Sequence, residues 1–300
     1  MTTSPSTGFN LNDPGIIRVL DELPFWSAPF GIKLLEKIIP GKNMKVLDIG
    51  FGTGFPLTEL AMRLGDTCRI YGLDPWKAAA DRAREKIRVF GIKNVEILQP
   101  PVETQNIASL QNHIIPQLPD QSIDLVVSNN GLNNVDDLDN ALSECARVLK
   151  PGGQLIFTMN LNGTMMEFYE VMRKVLSSHR LISAVESMEK HIYRKRKPLD
   201  EVADLLLKNG FSVHSNDQDR FSYTFTDGTT MFNHFFIRIA FLDSWKKVVP
   251  MDKQEVIFNE IEDKINEIAA KEGFFRLSIP FVVIDAVSGS RQPDECHRGK

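Results

Sequence analysis

Between residues 44 and 159 the chain alternates short apolar runs with segments whose apolar positions recur at helical spacing. The runs 44–49, 69–73, 94–98, 123–129 and 153–159 have the length and β-branched content of strands. Segments 55–64, 76–89 and 136–149 between them read as helices. In the last, Leu138, Ala141, Leu142, Cys145 and Leu149 fall on one face, and Pro151-Gly152-Gly153 is expected to stop the helix and turn the chain into the next strand. Strand–helix alternation of this kind predicts a parallel sheet covered by helices on both faces. The pattern changes after residue 160. Helices are predicted at 163–178, 199–208, 229–247 and 252–271, and strands at 211–214, 220–226 and 275–286, the last carrying Pro280. Upstream, 1–13 is polar, and 16–20 and 31–39 have helical spacing, interrupted by Leu23-Pro24-Phe25-Trp26-Ser27-Ala28-Pro29-Phe30.

The first strand ends in the most informative stretch, Val46-Leu47-Asp48-Ile49-Gly50-Phe51-Gly52-Thr53-Gly54. Alternating glycines let a backbone turn sharply and approach a ligand that side chains would block, and the following helix points free N–H groups at the turn. This is a nucleotide-type loop at the carboxyl end of a strand. It is not the dinucleotide pattern G-x-G-x-x-G, whose third glycine is replaced by Phe55, and the phosphate-cradling G-x-x-x-x-G-K pattern is absent from the chain. Asp48 offers a carboxylate to a cationic ligand group. The second strand ends at Asp74, 24 residues after Gly50, where a carboxylate can take both hydroxyls of a ribose. Asp74 before Pro75 also has the form of a helix N-cap with proline at N1.

Four blocks in order, V-L-D-I-G-F-G-T-G at 46–54, Y-G-L-D at 71–74, I-D-L-V-V-S-N-N-G at 123–131 and V-L-K-P-G-G-Q-L at 148–155, resemble class I S-adenosylmethionine (SAM)-dependent methyltransferases. The nearest branch is the small-molecule one of ubiquinone and menaquinone biosynthesis (methyltransferase type 11), and the likeness covers about residues 40 to 160. It implies a Rossmann-like, doubly wound α/β fold: a mostly parallel seven-stranded sheet with helices on both faces, the last strand antiparallel between strands five and six, and a helical cap insertion. The expected organisation is an N-terminal helical lid at 1–40, a SAM-binding core at 41–215, a substrate cap at 216–273, and the final strand and tail at 274–300. The resemblance places Gly50 and Gly52 against the methionine portion and Asp48 near its amino group. Gly54 is a further cofactor-binding candidate, Asp74 is expected on the ribose, and Trp76 reads either as a ring against adenine or as a half-exposed aromatic at a helix start. Relatives often carry Gly-Asp-Ala after strand three to hold the adenine amino group. Here Pro100 and Pro101 stand instead, leaving the Val102 N–H and Glu103 as candidate contacts. Asn129 and Asn130 at the end of strand four are expected beside the methyl group. That strand end lacks the Pro-Pro-aromatic signature of enzymes methylating exocyclic amines of nucleic-acid bases, and the Pro-Cys pair of covalent cytosine chemistry.

Composition and charge narrow the acceptor side. A net charge of −4 over 300 residues gives no electrostatic footprint for nucleic acid. No apolar run is long enough to span a bilayer, the N-terminus lacks the basic start and apolar core of a secretory signal, and a cytoplasmic protein is expected. Cys68, Cys145 and Cys296 are too few and too scattered for a disulfide framework or a zinc site, so no metal is expected. The segment around Trp26, Pro29 and Phe30 is expected to fold over the cofactor. Phe221, Tyr223, Phe225, Phe232, Phe235 and Phe236 suit an apolar ring substrate or a core. Trp26, Phe30, Tyr223 and Phe235 are taken as candidate substrate contacts. His234, with Ile237, Phe241 and Trp245 on one helical face, is the candidate base, against the alternative of an ordinary core histidine. The basic run His191–Lys197 reads as a solvated linker before a helix, or as a clamp for an acidic substrate group or a phosphate. The expectation is therefore metal-independent, in-line methyl transfer from SAM, with S-adenosylhomocysteine as product, to a small apolar or aromatic acceptor at oxygen, nitrogen or carbon. Methylation of protein or RNA and non-catalytic binding of SAM are the alternatives. The oligomeric state is left open, a homodimer included.

Overall fold

A computed structural model of the chain describes residues 9–21, 26–98 and 118–289. Strands β1 (Lys45–Ile49), β2 (Arg69–Leu73), β3 (Val95–Leu98), β4 (Ile123–Asn129) and β5 (Leu149–Asn160) stand where the apolar runs predicted them. Helices α3 (Leu57–Leu64), α4 (Lys77–Val89) and α5 (Leu138–Val148) connect them, and helices α1 (Pro14–Asp21) and α2 (Ser27–Glu36) precede them. Residues 46–49 and 125–130 are buried throughout, the sign of central strands covered on both faces. Two long strands close the sheet, β6 (Phe211–Phe225) and β7 (Phe275–Ser288), giving seven strands in the order β3-β2-β1-β4-β5-β7-β6. The last strand thus lies between β5 and β6, as the resemblance implies. Pairs β1–β2, β1–β4, β2–β3 and β4–β5 are parallel. Strand order reverses between β1 and β4, the topological switch point at which open α/β sheets bind ligands.

Several sequence expectations are corrected. Pro151-Gly152-Gly153 does not separate a helix from a strand. Leu149 already pairs with Ile123, while Gln154 pairs with Leu125, so residues 150–153 bulge inside β5. The two short strands expected at 211–214 and 220–226 are one continuous β6. A helix that was not expected, α7 (Ile182–Lys195), takes up most of the basic run 191–197, so that run is not a solvated linker. Helices α6 (Met166–Ser178) and α8 (Leu199–Lys208) flank it. The single helix expected at 229–247 is broken into α9 (Gly228–Asn233), α10 (Phe235–Ile237), a π-helical turn Arg238–Leu242 and α11 (Asp243–Lys246), before the long α12 (Gln254–Glu272).

The chain divides into two compact units. The core unit comprises Phe30–Thr158, Asp200–Asp217 and Val283–Lys300; the second unit comprises Met1–Pro29, Met159–Leu199 and Gln218–Val282. Within the second unit α12 packs on α6 and α9. His179 of α6 pairs with Glu260 of α12 at 2.6 Å, and Asn266 of α12 accepts from the Gly228 N–H at 2.7 Å. No helix among the described residues is long and apolar enough to cross a membrane.

Candidate active site

Parallel register brings the carboxyl ends of β1, β2 and β4 into line: Ile49 pairs with Leu73, and Asp48 with both Gly72 and Val127. The loops that follow therefore emerge together. Gly50 has φ +80°, and its N–H donates to the Leu73 carbonyl at 2.8 Å. A Cβ on Gly50 would stand 2.6 Å from the Cα of Gly131, and one on Gly131 would stand 2.2 Å from the Ile49 carbonyl oxygen. This backbone-to-backbone contact closes the floor of the site between β1 and β4. Ser128 Oγ supports it by donating to the Ile49 carbonyl at 2.8 Å while accepting from the Leu132 N–H at 2.9 Å. Gly54 serves a different purpose: a Cβ there would lie 3.3 Å from the Ala83 Cβ, so Gly54 lets α4 approach closely. Gly52 alone of the three, at φ +55°, has nothing within 4 Å of the Cβ position.

Asp74 is held by this loop. Its Oδ2 accepts from the Gly52 N–H at 2.7 Å and its Oδ1 from the Trp76 N–H at 2.8 Å. The N-cap of α4 is Trp76, so the cap-and-proline arrangement expected at Asp74-Pro75 is not formed. Each carboxylate oxygen keeps a second lone pair for a ligand hydroxyl. Burial raises the Asp74 carboxyl to about 6 despite those two backbone bonds. Trp76 is half-buried beside it.

Asp48 is the electrostatic centre of the site. It is fully buried, and neither carboxylate oxygen has a hydrogen-bond partner. Burial, and then the neighbouring Asp74 charge, push its carboxyl well above the ordinary carboxylate range. An unpaired buried carboxylate is costly, and a cationic ligand group offsets that cost directly. At the end of β4, Asn130 has φ 60°, and neither polar atom of its side-chain amide has a partner. Its backbone is fixed by Thr158 Oγ1, which accepts from the Asn130 N–H at 2.9 Å and donates to Asn129 Oδ1 at 3.1 Å. Asn129 is thereby engaged, and the Asn130 amide is the one left for a ligand.

Gly31 of α2 belongs to this site, although only its segment was singled out from the sequence. A Cβ on Gly31 would fall 2.2 Å from the Phe55 ring and 3.1 Å from Asn129 Nδ2, so α2 rests directly on the glycine loop and the β4 end. A glycine inside a helical pattern was the available signal. Phe30, expected as a substrate contact, is fully buried. Val102 and Glu103, with Pro100 and Pro101, lie outside the described residues.

The remaining candidates gather in the second unit. The Trp26 ring lies parallel to Tyr223 at 6.5 Å and meets Phe221, Phe236 and Phe241 at 6.1, 5.5 and 5.2 Å. All five rings are half-buried. His234 sits at the break between α9 and α10, not on a continuous helical face, with its ring 6.0 Å from Tyr223 and 5.5 Å from Phe225. Its Nδ1 is buried without a partner, and burial lowers its pKa. Burial raises the Tyr223 hydroxyl to about 12. Phe235 packs edge-on against Phe9 at 5.1 Å, apart from the Trp26 contacts.

Residues 47–157 match the family described as "Methyltransferase domain". The chain is 34% identical over 116 residues to the ubiquinone/menaquinone biosynthesis C-methyltransferase UbiE of Enterobacter sp. (strain 638), an alignment covering 38% of this chain and 42% of that relative. The chain thus spans less than half the length of the curated relatives it matches. Among solved structures, the BH2331 protein of Bacillus halodurans C-125 superposes with TM-score 0.56 at 16% identity, over 87% of this chain and 99% of that one. The cyclase SpnF does so with TM-score 0.51 at 15% identity, over 87% and 80%. These structural likenesses show the fold. Residues 47–157 match a methyltransferase domain, and over that segment the chain resembles the class I SAM-dependent methyltransferases of the ubiquinone and menaquinone biosynthesis branch.

Proposed function

We propose that the protein transfers the methyl group of SAM to a small, largely apolar or aromatic acceptor without a metal. The orphaned Asp48 carboxylate beside the open face of Gly52 carries the cofactor half of this reading. Asp48 holds the ammonium of the methionine portion by a charge-assisted hydrogen bond. Asp74, its two oxygens already oriented by backbone N–H groups, accepts from the ribose hydroxyls, and half-buried Trp76 offers its ring to adenine. The unpartnered Asn130 amide orients polar atoms near the transferred group. SAM supplies an electrophilic methyl on a positively charged sulfur. Charge is lost rather than created on the leaving group, so alignment and exclusion of water suffice and a Lewis acid is not required.

On the acceptor side, the ring cluster of Trp26 and Tyr223 supports an apolar, planar molecule. Burial keeps His234 neutral at pH 7, so its Nδ1 can take the proton of a hydroxyl or an activated ring carbon, while Tyr223 stays protonated and can donate.

Incubation with methyl-labelled SAM and a metabolite extract tests the reading. Label is expected in a low-molecular-weight, organic-extractable product, and labelling of protein or RNA alone would overturn it. Once an acceptor is in hand, His234→Gln is expected to lower kcat by about 100-fold or more with donor binding unchanged. Because burial lowers the His234 pKa, the wild-type rate should fall only at pH below the ordinary histidine range, and the variant should lack that acid limb. An unchanged kcat in the variant excludes His234 as the base.

A further inference from the structure

Arg196 caps the C-terminal end of α7 and is 5% exposed. Its guanidinium carbon lies 5.2 Å from the centre of the Tyr169 ring on α6. Tyr169 is itself fixed: its hydroxyl accepts from Trp245 Nε1 at 3.1 Å. Stacking on an aromatic face orients a guanidinium and offsets part of its desolvation. It does not satisfy the N–H groups, and Nε and Nη1 of Arg196 are both buried without an acceptor. No carboxylate among the described residues pairs with it. Nearby groups do not supply a counter-charge either. His191, 6.4 Å from Tyr169, is held near pKa 4 by burial and by the charges of Arg196, Arg194 and Lys195, so it is neutral at pH 7. A buried guanidinium with open donors is costly unless an anion completes it.

Arg196 stands at the far end of a run of packed rings that leads to the cluster already described. Tyr169 leads to Trp245 at 6.4 Å, Trp245 stacks with Phe241 at 5.6 Å, and Phe241 meets Trp26 at 5.2 Å. Arg196 is thus connected through packed rings to the half-buried Trp26 and Tyr223.

We propose that Arg196 is an anion subsite that binds a carboxylate of the methyl acceptor, which makes the acceptor an aromatic or apolar carboxylic acid. This rests on the small-acceptor reading above. A carboxylate fits better than a phosphate monoester, because one guanidinium matches a single negative charge and a phosphate monoester carries nearly two at pH 7. The basic run 191–197 then owes its function to its one buried basic residue, and its other cations follow the ordinary preference for positive charge at a helix C-terminus.

Binding of benzoate and of its uncharged isostere benzamide to the full chain tests this, by calorimetry and saturation-transfer NMR. Benzoate is expected to bind at least ten times more tightly than benzamide. Arg196→Met is expected to abolish that preference, and Arg196→Lys to keep part of it. Equal affinity for the two probes, no benzoate binding, or a preference that survives in Arg196→Met overturns the site. If Arg196→Met does not fold, the wild-type comparison decides alone. SAM titrated into the same preparation separates the two readings. Donor binding without benzoate preference removes the carboxylate site and leaves methyl transfer standing; benzoate preference without donor binding does the reverse.

Discussion

Asp48→Asn is expected to weaken SAM about 100-fold while making the ligand-free protein more stable at neutral pH. The loss follows from replacing a charge-assisted hydrogen bond by a neutral one inside a dry site, a difference of about 3 kcal/mol. The gain follows from proton linkage. Asp48 has a folded-state pKa well above its unfolded value, because burial and then the Asp74 charge oppose ionisation. A group of this kind stabilises the fold fully below the unfolded pKa near 4, and that contribution drains away as pH rises toward the folded value. Each pH unit in that window removes about 1.4 kcal/mol from the wild type. The asparagine variant binds no proton there, so its stability relative to the wild type should rise with pH as pH climbs above 4. Asp74, raised to about 6, loses its own share between about pH 4 and 6, and its ionisation adds to the cost of ionising Asp48 in the wild type alone. Urea unfolding across this pH range and calorimetry with SAM check both halves. SAM binding within threefold of the wild type, or a stability gap independent of pH, overturns the role given to Asp48. Saturating SAM should also raise wild-type stability relative to the variant, because at 100 times its Kd a ligand adds about 2.7 kcal/mol.

What the sequence revealed and what it concealed have physical causes. Strands β1 to β4 and helices α3 to α5 were legible because central parallel strands are apolar on both faces and the helices covering them carry a single apolar stripe. Strand β6 was only half legible. It forms the edge of the sheet, and its middle, Ser215-Asn216-Asp217-Gln218-Asp219-Arg220, reads as a loop because polar and charged residues there face solvent on both sides. Pairing with β7, not its own composition, keeps it extended. Helix α7 was overlooked although Ala184, Met188 and Ile192 lie at helical spacing and are buried. The break at His234 carried no signal, because the apolar period runs through it. In the site, Asp48, Gly50 and Asp74 were legible as a motif. That Gly50 needs Gly131 as its partner was not, because the contact joins residues far apart in sequence through backbone atoms alone.

That division of labour among the glycines leads to the second large effect. Gly131→Ala should destroy the fold, whereas Gly52→Ala should keep the fold and lose the cofactor. At Gly131 the backbone is ordinary, with φ −67°, so the substitution carries no conformational penalty. Its methyl would nevertheless lie 2.2 Å from the Ile49 carbonyl oxygen, 2.6 Å from Ser128 Oγ and 3.0 Å from Gly50 Cα. Two of these are backbone atoms at the end of a strand paired to β4, and they cannot retreat without breaking the register of Asp48 with Val127. Overpacking typically costs about 1 to 3 kcal/mol, and contact this close to backbone that cannot move puts Gly131→Ala at or above the top of that range. At Gly52 the balance is inverted. An alanine in the left-handed region at φ +55° costs about 1 to 2 kcal/mol, but its methyl meets no protein atom within 4 Å, and the N–H bond to Asp74 survives. The methyl instead occupies the space through which a ligand reaches the backbone next to Asp74. Urea unfolding should therefore show a small loss for Gly52→Ala and a collapse for Gly131→Ala, while SAM affinity falls at least tenfold in the folded Gly52→Ala protein. Wild-type affinity in Gly52→Ala would mean that the loop does not meet its ligand through the backbone, and would move the cofactor contacts onto Asp48 and Asp74 alone.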